Sequence, residues 1–270
     1  MTDETHNVNL EFDLPAQPQS LIKLAALLRE EDININAIGA LIDSDMSFAA
    51  AVMKAVNSPL YGLKGRVQSV QQAVTYLGVR EISAIAYESG LQGAFPQVPA
   101  LVAIWERAAV RGLLMGRLAQ ALSMEAWGAH TAGLFEECGK AVLYKHAPAV
   151  YAPMLAKAAN DSALLELERQ AFGIGHDEIG ARLCEAWGLT PAAVASVRHH
   201  VSIQETLRLP RVSHRYICVL SALAHTITND PAQLDEVAMK LAPQAMLDQS
   251  SLLRGLHRVK DKIDDAISNG

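Results

Sequence analysis

Along most of this chain apolar residues return every three or four positions, and nowhere do they alternate with a sustained period of two. That spacing gathers them on one stripe of an α-helix and does not suit the two-faced alternation of a half-buried strand. Leu21, Leu24, Ala25 and Leu28 make one such stripe, Ile35, Ile38, Leu41 and Ile42 a second, and Phe48, Val52 and Val56 a third. The pattern predicts an essentially all-α protein. Composition points the same way, with 50% hydrophobic residues but only 5% aromatic ones, and 270 residues are enough to bury a substantial core.

Punctuation divides the stripes. Pro15 and Pro18 lead to Ser20, read as the N-cap of a helix from Leu21 to Arg29. Asn57-Ser58-Pro59 ends the third helix, because proline removes a donor and restricts the residue before it. Ser69 caps a short helix closed by Gly78, and another runs from Val79 to about Leu91. Gly93 to Pro99 interrupts the periodicity and marks the best subdomain junction. Beyond it a long helix covers Leu101–Leu122, followed by helices near 148–159, 162–172, 177–187, 191–201, 212–228, 232–246 and 250–267. The organisation expected is a flexible N-terminal tail (1–13), an N-terminal helical subdomain (14–95), a second helical subdomain (96–228) and added C-terminal helices (229–270).

A formal charge of −6 and the lack of a Lys/Arg cluster give no footprint for nucleic acid or an anionic membrane surface. Arg107, Arg111 and Arg117 share one helix but are diluted by apolar neighbours, and read as solvated or locally paired. Cys138, Cys184 and Cys218 are far apart, with no metal or redox spacing. They read as reduced core thiols, and with a polar start unlike a signal peptide they imply a cytoplasmic protein. No apolar run reaches membrane-spanning length; Leu41–Val56 is broken by Asp43, Asp45 and Lys54. Gly173-Ile174-Gly175 lacks the strand and later glycine of a dinucleotide site, and Trp105, Trp127 and Trp187 read as packing residues.

One segment resists this plain account. In Ala132–Leu143 two adjacent acids, Glu136 and Glu137, sit in an otherwise apolar helical run, followed by an apparent Gly139-Lys140 stop. Burying a carboxylate costs several kcal/mol, of order ~5, unless a partner compensates it. The pair must reach solvent or answer to a specific cation.

Several separated segments together resemble HDOD domains. These are Leu14-Pro15 with the Leu-rich helix after it, Val56-Asn57-Ser58-Pro59-Leu60-Tyr61-Gly62, and Ser69 to Gly78. The Ala132–Leu143 helix, Gly175-His176-Asp177-Glu178-Ile179-Gly180-Ala181, Trp187-Gly188-Leu189 and His199-His200 continue in the family's order. The resemblance spans about residues 14–228. It implies an HDOD/HD-domain-like multi-helix bundle, related to the HD and HD-GYP phosphohydrolases, and a bacterial signalling output module.

What it implies for catalysis is negative. HD chemistry uses a His, a His-Asp pair and a distant Asp around a divalent metal that activates water. At the matching positions stand Arg107, Glu136-Glu137 and His225. An arginine stays protonated and cannot ligate metal; it can pair with a glutamate, so an Arg107–carboxylate ion pair is expected where related enzymes hold metal. Lys140, His176, His199 and His200 match Lys and His of HD-GYP relatives and complete the expected remnant pocket. His176-Asp177 spells the motif out of place; Asp177 or Glu178 reads as a first-turn acid favoured by the helix dipole.

The leading expectation is therefore a regulatory module without catalytic residues, metal or cofactor, acting through contacts with signalling or regulatory proteins. The cyclic di-GMP pathway is the context that the resemblance suggests. Two alternatives stay open: a metal-dependent phosphohydrolase using Glu136, Glu137, His176, His200 and His225 as an unorthodox ligand set, and a nucleotide-binding sensor without hydrolysis.

Overall fold

A computed structural model of the chain describes residues 12–30, 32–58, 61, 63, 65–202 and 208–268, with side chains to 261. The expected tail, apart from Phe12 and Asp13, and Pro59, Leu60 and Gly62 of the family-like segment lie outside these residues.

The described residues are helical, with no strand among them. The first five helices are α1 (Gln19–Leu27), α2 (Ile35–Ser44), α3 (Met46–Val56), α4 (Val70–Leu77) and α5 (Val79–Gly93). The long α6 (Pro99–Ala121) follows, then α7 (Ala126–Phe135), α8 (Cys138–His146), α9 (Pro148–Lys157), α10 (Asp161–Phe172), α11 (His176–Ala186) and α12 (Pro191–His199). The chain ends in α13 (Val212–Asn229), α14 (Leu234–Leu241) and α15 (Gln249–Ser268), with short 3-10 turns on both sides of α14.

The caps show why the helices start where they do. Asn34 accepts from Ala37 N, Asp45 from Ser47 N and Phe48 N, Ser69 from Gln72 N and Asn160 from Ala163 N, each satisfying an amide that the helix leaves free. Gly78, at φ 83°, turns α4 into α5 through the left-handed half of backbone space. The Ser20 cap is not observed. The helix begins two residues earlier, at Gln19, with Pro18 preceding it and no side-chain cap.

Two apolar cores fill the molecule. One joins Leu21, Ile38, Val52 and Leu91 to Ile104, Leu134, Val142, Ile179 and Val197, so it runs continuously across the sequence junction expected near residue 95. The other joins Leu114 and Leu118 of α6 to Val219, Leu220, Leu241, Leu252 and Leu256. Residues 229–261 are thus built into a core with α6, α7 and α13. Each fully buried leucine contributes roughly 2–3 kcal/mol, and α6, contributing to both cores, is the spine of the fold. No single helix among the described residues is long and apolar enough to cross a membrane.

Candidate functional site

Glu136 and Glu137 occupy the break between α7 and α8 rather than the middle of a helix. The expected Gly139-Lys140 stop is instead the first turn of α8. Glycine at 139 serves packing: a Cβ there would overlap the carbonyl oxygen of His176, so its absence lets α8 lie on the start of α11. Gly133 does the same on the other side, where a Cβ would stand 2.7 Å from the Arg111 carbonyl oxygen of α6. These two close approaches press the acidic pair between α6 and α11.

Both glutamates are 0% exposed. Arg107 Nη2 lies 3.1 Å from Glu137 Oε2 and Lys140 Nζ lies 3.0 Å from the same oxygen. The other oxygen, Oε1, is held by Arg111 Nη1 in a very short contact. Glu136 accepts from Ser196 Oγ at 3.2 Å and from His225 Nε2 at 3.3 Å, with Arg111 3.8 Å away. Asp161 closes the set, its oxygens 2.7 Å from Lys140 and 3.5 Å from Arg111. Arg111 Nη2 also lies 3.2 Å from His225 Nδ1. A guanidinium only donates, so His225 accepts through Nδ1 and donates through Nε2 to Glu136.

Arg111 is the largest departure from expectation. Its side chain is 7% exposed and central to the network, whereas the half-exposed Arg107 reaches in from the rim. Arg117 pairs locally with Glu81 at 3.8 Å. Three cations thus face three carboxylates across α6, the α7–α8 junction, α8 and α10. Burial works against charge on Glu137, but Lys140, Arg111 and Arg107 outweigh it and hold the carboxyl down at about 2. Burial likewise opposes the Glu136 charge; the hydrogen bond from His225 and the nearby Arg111 guanidinium bring it below the usual range. Asp161 is held low by Lys140, His176 and Arg111 against its own burial.

The remaining histidines lie beside this cluster. His176, fully buried at the start of α11, sets Nδ1 2.7 Å from Glu168 Oε2, and Tyr151 donates to the other Glu168 oxygen at 2.5 Å. His200 turns Nδ1 toward the Val197 carbonyl at 2.7 Å, and its ring centroid is 5.2 Å from that of His176 and 6.2 Å from that of His225. Burial pushes the His200 imidazole down to about 3, so it is neutral. Because a carbonyl can only accept, Nδ1 carries its proton and Nε2 is a bare lone pair. The Nε2 atoms of His176 and His200 are both buried without a hydrogen-bond partner among the described residues. His199 is the partly exposed last residue of α12. Asp177, in the first turn of α11, pairs with Arg169 at 3.0 Å.

The metal that the HD fold implies can be tested on these contacts. At the positions matched to its ligands, Arg107 is a fixed cation, and every oxygen of Glu136 and Glu137 is already held by protein donors. Those four residues do not fit a divalent ion. Another group comes nearer: Asp161, His176 and His200 each offer an atom within 4.8 Å of the others, a donor set that suits zinc, iron or manganese. Lys140 and Arg111 already stand on both Asp161 oxygens.

Sequence reasoning read Arg111 as a solvated or locally paired side chain and did not single out Asp161, Glu168, Tyr151 or Ser196. Two of them left a trace. Arg111 shares the stripe of Ile104, Ala108, Met115 and Leu118, and Glu168 shares that of Leu164, Leu165 and Phe172, so both face inward by helical register.

Residues 14–203 match the HDOD domain family. An uncharacterized protein of Treponema pallidum (strain Nichols) is 26% identical over 223 residues, which is 78% of this chain and 41% of that protein. The chain therefore spans less than half the length of this relative. A solved protein of Shewanella amazonensis SB2B, provisionally named a phosphohydrolase, superposes with a TM-score of 0.68 at 22% identity over 94% of each chain. One from Marinobacter aquaeolei VT8, provisionally named a signal transduction protein, gives 0.72 at 23% identity over 95% of this chain and 59% of its own. An HDOD domain protein of unknown function from Geobacter sulfurreducens gives 0.71 at 17%, over 94% and 93%. At these identities the likeness is one of fold.

Proposed function

Since the chain belongs to the HDOD domain family, we propose that it is a non-catalytic bacterial signal-transduction or regulatory module that works through protein–protein contacts. The observation that carries this reading is the Arg107–Arg111–Lys140 embrace of Glu137. With every oxygen of Glu136 and Glu137 held by protein donors, neither glutamate offers a coordination position or is free to activate water. Its cations are fixed side chains, so the pocket is electrostatically complete without an ion. The partners proposed are signalling or regulatory proteins, with the cyclic di-GMP pathway as the context, and the setting is the cytoplasm.

Metal analysis of full chain purified without chelator, followed by assay on bis(p-nitrophenyl) phosphate with added manganese or iron, tests this. The expected result is metal well below one equivalent and no turnover. Stoichiometric iron or manganese, with diesterase activity that disappears in Glu136→Ala, would overturn it.

The unpartnered Nε2 atoms of His176 and His200 beside Asp161 favour one second reading, a metal-dependent phosphohydrolase with substituted ligands. It requires Lys140 and Arg111 to release Asp161. The same metal analysis on His176→Ala separates the two, since only an enzyme of this kind would lose both metal and turnover.

A further inference from the structure

Away from the ion-pair cluster, α5 and α6 present two stripes of equal length across an open cleft of about 930 Å³, floored by Ala51 and Ala55 of α3. On α6 the stripe runs Val102, Trp105, Ala109, Leu113; on α5 it runs Glu81, Ala84 or Ile85, Glu88, Gln92. Both follow helical spacing over eleven positions, about 17 Å or three turns. Val102 and Val110, both in the lining, are 52% and 44% exposed.

The charged groups that line the cleft among the described residues are three glutamates, Glu81, Glu88 and Glu106, against one lysine. Glu106 and Glu88 have no ion-pair partner among the described residues, and Glu81 is met only by Tyr61 at 2.6 Å and, at 3.8 Å, by Arg117. Lys54 is the one lysine in the lining among the described residues. Glu88 is mostly buried and without a cation, and burial pushes its carboxyl up to about 7. Trp105 Nε1 and His130 Nε2, in rings that line the cleft, also lack hydrogen-bond partners.

We propose that the cleft between α5 and α6 receives an amphipathic helix of a partner protein, about three turns long, with its apolar stripe in the cleft and lysines or arginines along its edges. Two helix ridges with the small residues Ala51 and Ala55 between them form the groove that a third helix fills. The Glu81 and Glu106 carboxylates on its walls, with Glu88, which a partner's cation would draw into its charged form, select a basic partner and disfavour nucleic acid and anionic lipid, both of which would bring more negative charge. Residues 1–11 of the chain carry Asp3, Glu4 and Glu11 and no lysine or arginine, so they are the wrong charge to fill it. A second copy is also a poor fit. The basic run Arg254 to Lys260 lies on α15, whose apolar residues Leu252, Leu256 and Val259 are already buried in the second core.

This inference rests on the protein-contact reading and specifies its surface. Two synthetic helical peptides of about 14 residues share one Leu/Ala stripe and carry lysines or glutamates at the flanks. Binding to the full chain is read by fluorescence anisotropy of the labelled peptides. The lysine peptide is expected to bind with Kd in the micromolar range, about 1–100 μM, and the glutamate peptide about tenfold or more weaker. Val102→Lys, at an exposed site that folding tolerates, and Ala109→Trp, which intrudes into the cleft from its α6 wall, should each weaken the lysine peptide about tenfold with Tm unchanged. Val150→Lys on α9 should not. Equal binding of both peptides, no binding of either, or no effect of Val102→Lys overturns the proposal. So does a wild-type dimer, seen by sedimentation, that Val102→Lys dissolves, because a second copy would then be the occupant. Failure here in a metal-free, inactive protein removes only the cleft, whereas metal-dependent hydrolysis would remove the wider reading whatever the peptides do.

Discussion

The Arg111 guanidinium lies directly against the Glu137 carboxylate, and both groups are sealed from solvent. They come from α6 and from the α7–α8 junction, and the same guanidinium also reaches Asp161 and His225. One arginine therefore holds four parts of the fold in register.

Arg111→Met should be severely destabilising, because it leaves Glu137 and Glu136 with less compensation in a site without water access. The expected loss is about 3–5 kcal/mol in urea unfolding. Arg107→Met, at the half-exposed rim, should cost under about 1 kcal/mol. A double-mutant cycle with Glu137→Gln should show strong coupling to Arg111 and weak coupling to Arg107.

Stability should fall on acidification in two overlapping windows. His200 and His130 are pushed down by burial, to about 3 and about 4. Below the ordinary imidazole pKa near 6.5 the unfolded chain takes up protons at these rings while the folded protein does not, until pH reaches those folded values; by pH 5 stability has dropped by roughly 1–2 kcal/mol for each. Glu137, held at about 2, acts later. Its contribution is complete above the ordinary carboxylate pKa near 4.5 and is lost as pH falls toward 2, amounting to about 3 kcal/mol. Unfolding free energies at pH 7, 5 and 3 should show both steps; His200→Gln should flatten the first and Glu137→Gln the second.

Gly139→Ala should lower Tm sharply, since the added methyl meets the His176 carbonyl and α8 must move off α11. A loss of about 2 kcal/mol or more is expected. Gly93→Ala, where a Cβ meets nothing within 4 Å, should be neutral or stabilising by about 0.5 kcal/mol. Calorimetry on the pair separates steric packing from helix propensity.

Tyr151→Phe keeps the buried ring but strips one donor from Glu168, which also receives the His176 backbone amide at 2.7 Å. A loss of about 1–2 kcal/mol is expected. The Nδ1 resonance of His176 should shift as its carboxylate partner rearranges, while a Tyr144→Phe control, on a partly exposed tyrosine, should leave it in place.

Helix positions were readable because capping and periodicity are local. Asp45, Ser69 and Gly78 end or begin helices through contacts within four residues of themselves. Ser20 misled for the same reason: it has a cap's chemistry, but Pro18 with its preset φ starts the turn earlier. The Glu136-Glu137 anomaly was visible as well, as charge in an apolar run. Its resolution was not. Arg111 looked diluted among apolar neighbours, and that neighbourhood was itself the sign of an inward face.

By itself the sequence determined the all-helical class, the approximate helix ends, the family resemblance, and the presence of Arg107, Glu136, Glu137 and His225 where related enzymes carry ligands. Tertiary structure alone decided which cation meets which carboxylate, because Coulomb energy and hydrogen bonding depend on separations of a few ångströms between residues far apart in the chain. Those separations come from α6 seated on α7 at Gly133 and α8 seated on α11 at Gly139.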